Sequence, residues 1–179
     1  MLRIEDQLKK MAAVMSVVLW VTAEAMAQDN QARVTRRIVV SIPDRKLAVM
    51  EGDTVVRIFD TAVGAPKSPS PTGTFTIINS MENPTWYTKG RIVSPGPANP
   101  LGTRWLGLSQ KGYGIHGTNA PSSIGKNASH GCIRMRNRDV EQLFKMVAVG
   151  DVVELIGERT GEVARIFAPV IVAAADDNN

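Results

Sequence analysis

IVVSIPDRKLAVMEGDTVVRIF, residues 38–59, is the stretch from which the fold is read. It contains three strand-length runs rich in β-branched residues: Ile38 to Ile42, Lys46 to Met50 and Val55 to Phe59. Pro43-Asp44 and Glu51-Gly52-Asp53 separate them, and these are turn residues, so the segment predicts an antiparallel meander. Downstream, residues 64–73 are loaded with proline and glycine and read as a loop, after which Thr74 to Ile78 resumes the β pattern. Prolines at 84, 95, 97 and 100, with Trp86 and Tyr87 among them, make residues 83–102 a long connection. Connections of that length are uncommon unless functional, which predicts a lid or substrate-facing flap. Arg104 to Ser109 and Tyr113 to Gly117 read as two further strands around Gln110-Lys111-Gly112. A helix is predicted to open with Asn137 as N-cap and to bury Val140, Leu143, Phe144 and Val147, which recur at three- and four-residue spacing. Asp151 to Ile156 gives a last core strand. The fold class expected is mainly β with one principal helix, a sandwich or barrel-like domain.

Upstream of the meander the chain reads as an address. Arg3, Lys9 and Lys10 precede an apolar run from Met11 to Val21, and Ala25-Met26-Ala27 places small residues where a signal peptidase reads. Residues 1–27 are therefore expected to be a cleaved signal peptide and 28–36 a flexible lead-in. The run is too short for a spanning helix, which needs roughly 20 apolar residues, so no membrane anchor is expected after cleavage. The folded domain is placed at 37–157 and a tail at 158–179, within which Ile166-Phe167-Ala168 and Val170-Ile171-Val172 are either packed back or loose. With 44% hydrophobic and 21% charged residues the composition is that of an ordinary globular domain, not of a disordered or multi-span chain. A net charge of +4 favours an anionic partner. The basic residues are scattered and no ladder of aromatic and basic residues is present, so nucleic acid is not expected.

An exported chain with one cysteine raises a specific question, because cysteines in oxidising compartments usually pair as disulfides. An unpaired thiol is either a buried, inert small hydrophobe or is present for its reactivity. The segment IHGTNAPSSIGKNASHGCIRM, residues 115–135, places both histidines of the protein, His116 and His130, near Cys132. A histidine beside a thiol lowers its pKa and takes its proton, giving a nucleophile toward carbonyl carbon. Gly131 before the cysteine lets main-chain N–H groups approach a developing oxyanion. By spacing alone, a nucleophilic pair, three ligands of a zinc site and a structural coincidence all remain open.

The motifs HGT at 116–118 and SHGCIRM at 129–135 resemble the catalytic signature of the L,D-transpeptidase family, also called the YkuD domain. Three upstream pieces share the resemblance in the same order: Pro71-Thr72-Gly73-Thr74-Phe75, Asn83-Pro84-Thr85-Trp86, and Pro95-Gly96-Pro97-Ala98-Asn99-Pro100-Leu101-Gly102. The resemblance implies a β-sandwich with a catalytic loop between strands and an enzyme that needs no cofactor and no metal. It implies that Cys132 attacks the bond between the third residue of a peptidoglycan stem peptide and its terminal D-alanine, forming a thioester. The amine of a neighbouring stem, usually diaminopimelate, then resolves it and cross-links the wall of a periplasmic or wall-associated compartment. His116 is implied as general base and acid, the Gly117 carbonyl as its orienter, and the main chain of His130, Gly131 and Cys132 as oxyanion donors. His130 is a poorer candidate for the base, since the family tolerates other side chains at that place. An L,D-carboxypeptidase and an enzyme attaching proteins to peptidoglycan would use the same site, and a non-catalytic wall-binding module is the alternative outside enzymes. Arg134 is a candidate for binding a substrate carboxylate, its alternative being a structural salt bridge. Trp86 and Tyr87 are candidates to close over the peptide, their alternative being packing. The acyl acceptor and the oligomeric state are not readable from the sequence.

Overall fold

The computed structural model describes residues 35–168. The signal-peptide assignment for 1–27, most of the lead-in and the end of the tail lie outside the described residues. Within them, the meander is formed by β1 (Arg37–Ser41), β2 (Lys46–Glu51) and β3 (Thr54–Asp60), paired antiparallel in sequence order. The remaining strands are β4 (Val63–Gly64), β5 (Gly73–Glu82), β6 (Trp86–Thr88), β7 (Arg91–Val93), β8 (Arg104–Leu108), β9 (Gly114–His116), β10 (Asn127–Ser129), β11 (Ile133–Arg134) and β12 (Val152–Ile156). Two α-helices, α1 (Asn137–Met146) and α2 (Gly161–Ile166), complete the domain with a single 3-10 turn at Pro121–Ser123.

Eight strands form one sheet in the order β11-β9-β8-β5-β12-β1-β2-β3. The bend in it is carried by β5. Its first residues pair with β12, its later ones pair with β8, and the register shifts between Ile77 and Asn79, where the strand changes partner. A strand that passes between two halves of a sheet at such an irregularity turns a corner, so both halves send their inner residues into one core. That core gathers Ile38, Val40, Leu47, Val49, Ile77, Leu106, Ile115, Ile133 and Leu155 from the sheet, with Val140 and Leu143 from α1. The first and last strands of the sheet-forming region, β1 and β12, lie side by side in parallel, from Arg37 opposite Val152 to Ser41 opposite Ile156.

β1 and β2 are buried on both faces, which accounts for their nearly unbroken apolar runs. Ile38, Val40, Leu47 and Val49 face the main core, while Val39, Ala48 and Met50 face a second cluster made with Val163, Ile166 and Phe167. The question left open about the tail is thereby answered for its first part. Thr160 caps α2 by accepting a hydrogen bond from the Val163 N–H at 3.2 Å, and the helix packs back as the cover of the outer face.

The principal helix is where expected, but its start differs. Arg136 occupies the N-cap without a side-chain hydrogen bond, and Asn137 is the first helical residue. The Asn137 side chain is engaged elsewhere: its Oδ1 accepts from the main-chain N–H of Thr118 at 3.0 Å and, more weakly, from that of Thr103 at 3.4 Å. Tertiary donors outcompeted the helix end for this amide.

Since Phe167 is only 6% exposed, Phe167→Ala should lower the unfolding free energy by about 3 kcal/mol. Urea denaturation followed by circular dichroism checks this, and the same variant should retain normal reactivity at Cys132.

Candidate active site

Residues distant in sequence meet at the edge of the sheet where β11 runs parallel to β9, with Ile133 opposite Ile115 and Arg134 opposite His116. Ile115 and Ile133 are fully buried in the main core, so apolar burial sets this register. The segment after the cysteine is held on its other side too. Arg134 N–H donates to the Ala62 carbonyl at 2.9 Å, Ala62 N–H returns a bond to the Arg134 carbonyl at 2.8 Å, and Met135 N–H reaches the His116 carbonyl at 2.8 Å. Cys132 is thereby fixed one residue before the pairing, alongside Gly114.

Glycines make room for this approach. Gly131 adopts φ +110°, and a Cβ there would lie 2.6 Å from the Tyr113 ring, so both backbone and space demand glycine. At Gly114 a Cβ would meet the Trp105 ring at 2.6 Å, because the indole lies across the bare strand. Ser129, buried, closes the turn: its hydroxyl donates to the Cys132 carbonyl at 2.5 Å and accepts the Gly131 N–H at 3.0 Å. The Gly131 N–H, expected to face an oxyanion, is thus engaged by Ser129 in this arrangement.

His116 is 5% exposed, at the end of β9, and stacks on Trp105 with ring centroids 5.8 Å apart. Its Nδ1 lies 2.6 Å from the Gly117 carbonyl oxygen. A carbonyl only accepts, so the proton of the neutral ring is on Nδ1 and the lone pair is on Nε2. Burial pushes the imidazole from 6.5 down to about 4, opposed by the bond to Gly117 and assisted by the positive charge of Arg134. Burial also raises the Cys132 thiol above its ordinary value, against the main-chain hydrogen bond with Gly114 and the attraction of Arg134. The sequence led us to expect an imidazole that lowers the thiol's pKa. No such effect stands among the influences on the thiol, and burial instead favours the uncharged form of each group. The thiol makes a long contact of 3.7 Å with the Gly112 carbonyl.

A cavity of about 520 Å³ opens over Cys132 and is lined by Asn83, Trp86, Tyr87, Leu101 and Trp105, among others. Trp86 and Tyr87 belong to a small hairpin, β6 with β7, in which Tyr87 stands opposite Ile92. The connection 83–102 that carries it is knotted by buried Asn99, whose Nδ2 donates to the carbonyls of Pro84, Val93 and Ser94 at 2.7 to 3.2 Å. Arg134 is half-buried, and its guanidinium forms no ion pair among the described residues, unlike Arg36, Arg37, Arg104 and Arg136. The His130 side chain is exposed. No group of three or more His, Cys, Asp or Glu side chains gathers among the described residues, so the zinc grouping left open by spacing is not assembled. Trp105 and Gly114 were not singled out from the sequence. A glycine inside a strand pattern was the available signal for Gly114, since it marks a place where another group approaches the backbone.

A family model for the L,D-transpeptidase catalytic domain, YkuD, matches residues 35–155. The chain is 43% identical over 121 residues to a Bacillus licheniformis protein named as the L,D-transpeptidase YkuD, covering 68% of this chain and 66% of that one. It is 41% identical over 118 residues to Bacillus subtilis YqjB, named likewise, covering 63% of this chain and 66% of that one. The chain thus spans just under two thirds of the length of these relatives. Among solved structures, an L,D-transpeptidase from Mycobacterium smegmatis superposes with a TM-score of 0.58 at 24% identity, covering 69% of this chain and 59% of that one, which shows a shared fold. The curled sheet, the His116 and Cys132 strands and the family match together establish that the chain belongs to the L,D-transpeptidase catalytic domain (YkuD) family.

Proposed function

We propose that this protein is an L,D-transpeptidase that cross-links peptidoglycan through a thioester on Cys132. The observation that carries the reading is the register of β9 and β11, which fixes Cys132 beside Gly114 on the strand that ends in a buried His116 with its Nδ1 proton held by Gly117. In this mechanism Sγ attacks the carbonyl between the third stem residue and the terminal D-alanine while His116 Nε2 takes the thiol proton. The tetrahedral adduct collapses, the same proton passes to the amine of D-alanine, and D-alanine leaves, giving the thioester. The side-chain amine of diaminopimelate on a neighbouring stem attacks the thioester, His116 accepts its proton, and the thiol is regenerated as the new amide forms.

Because burial favours the uncharged form of each group, proton transfer accompanies attack in this mechanism and no preformed thiolate is needed. The main-chain N–H groups of His130 and Cys132 serve the oxyanion, with that of Gly131 joining them if Ser129 releases it. Arg134, which has no ion-pair partner among the described residues, holds a stem carboxylate with its guanidinium. Trp86 and Tyr87 wall the peptide from the hairpin over the cavity. Residues 1–27 direct the chain across the membrane, and the domain at 37–157 works on the wall from the periplasmic side.

Two measurements follow. Incubated with tetrapeptide muropeptides, the protein should yield cross-linked dimers and free D-alanine, and Cys132→Ala should lower the rate by at least about 10³-fold. Mass spectrometry separates dimers from trimmed monomers, and trimmed monomers alone would make the enzyme a carboxypeptidase. The second concerns pH. His116 titrates at about 4 when folded and 6.5 when free, so its neutral burial contributes full stability above pH 6.5 and loses it as pH falls toward 4. Wild type should therefore lose about 3 kcal/mol more than His116→Gln over that window, measured as the difference between their denaturation curves.

A further inference from the structure

Asn137 lies outside the cavity over Cys132, at the start of α1, yet it grips the group that orients the catalytic base. The carbonyl that accepts the His116 Nδ1 proton belongs to Gly117. The N–H on the far side of that same peptide unit belongs to Thr118, and it donates to Asn137 Oδ1 at 3.0 Å. Three groups are thereby joined end to end: the Asn137 amide oxygen, the Gly117–Thr118 peptide and the His116 imidazole. Both main-chain neighbours of the amide, the N–H groups of Thr118 and Thr103, are donors, so the amide must present oxygen and not nitrogen.

The fit is tight. A Cβ on Gly117 would lie 2.2 Å from Asn137 Oδ1, and one on Gly102 would lie 2.1 Å from it. Gly102 also holds φ +65°, which favours glycine there for a second reason. The helix that carries Asn137 is tied to the same region independently. Thr103 Oγ1 donates to Glu141 Oε1 at 2.7 Å, and the Arg104 guanidinium lies over the Phe144 ring at 5.4 Å. Val140 and Leu143, on the adjoining face of α1, are buried in the main core. The amide oxygen thus sits on a rigid support.

We propose that Asn137 is a positioning residue for the base, acting through a peptide group as the third member of a relay. An acceptor on the N–H of a peptide shifts electron density toward its carbonyl oxygen, which strengthens the bond that this oxygen accepts. Here that bond keeps the proton of His116 on Nδ1 and leaves the lone pair on Nε2. The peptide takes the place that a carboxylate or carboxamide side chain occupies next to the histidine in other nucleophilic triads, and the side chain acts one bond further out. The inference rests on His116 acting as base toward Cys132, and its test is built on that pair alone, without peptidoglycan.

The chain has one cysteine, so alkylation by iodoacetamide reports Cys132 directly, and 15N NMR of the imidazole reports the tautomer of His116. In Asn137→Ala, alkylation at neutral pH should fall about ten-fold, and His116 should change from the Nδ1-protonated form to a mixture of tautomers. Asn137→Asp keeps an acceptor on the Thr118 N–H and should stay within about three-fold of wild type with the tautomer intact. If Asn137→Ala fails to fold, Asn137→Ser, whose hydroxyl is too short to reach the same N–H, replaces it with the same expectations. Folded variants lacking the acceptor that alkylate at the wild-type rate with the wild-type tautomer would overturn the proposal. So would an Asn137→Asp protein as impaired as Asn137→Ala, because restoring the acceptor would then have restored nothing. Absence of muropeptide turnover in wild type, with these alkylation results intact, would refute the transpeptidase reading and leave the relay standing.

Discussion

Every feature of the site depends on the two-residue parallel pairing of β11 with β9. Ile133 and Ile115, both fully buried, lock the register, and a slip of one residue would turn Ile133 to the cavity and Cys132 to the core. The strands on either side pass that constraint outward. Ala62 braces β11 from one edge and β8 braces β9 from the other, with Trp105 opposite His116. The glycines at 114 and 131 are consequences of the same closeness, since a Cβ at either would strike an aromatic ring. The position of Cys132 is thus set by the core, and the segment from Gly117 to Gly131 returns the chain to meet it.

Burial then decides the chemistry of the resting state. Desolvation drives the imidazole and the thiol in opposite directions, the imidazole down and the thiol up, and in each case it is the largest influence. Both changes favour the uncharged form. Arg134 favours a thiolate and disfavours an imidazolium, so its charge cannot create an ion pair between the two. What the fold provides is a buried imidazole whose orientation is set by its bond to Gly117. A neutral thiol is also the less oxidisable form of cysteine, which suits a chain whose one cysteine has no partner.

The β-branched runs at 38–59 declared the meander because local pattern and turn chemistry agree there, and the ends of the strands moved by a residue or so. The parallel pairing of β1 with β12 was not legible, since their residues are separated by almost the whole domain and nothing in either run names its partner. The hairpin of β6 and β7 was hidden by brevity: each strand has three residues, and the flanking prolines signalled only a loop. Asn137 shows a different limit. An asparagine before an amphipathic run is a good helix cap by local rules, yet two tertiary N–H groups claimed its side chain. The tail beyond Gly157 was ambiguous for lack of a strong period, and its helix is fixed by the outer face of β1 and β2. At the site, residue types and motif order picked out His116 and Cys132, whereas the thiol's pKa depends on desolvation and needed coordinates.

The central claim is that Cys132 is an acyl-accepting nucleophile activated by a buried neutral base. The most direct test is intact-protein mass spectrometry after exposure to a carbapenem, followed by peptide mapping, because ring opening by the thiol leaves the whole drug attached. The account predicts one adduct per chain, located on Cys132 and absent in Cys132→Ala. A folded protein that forms no adduct, or forms it on another residue, would contradict the account.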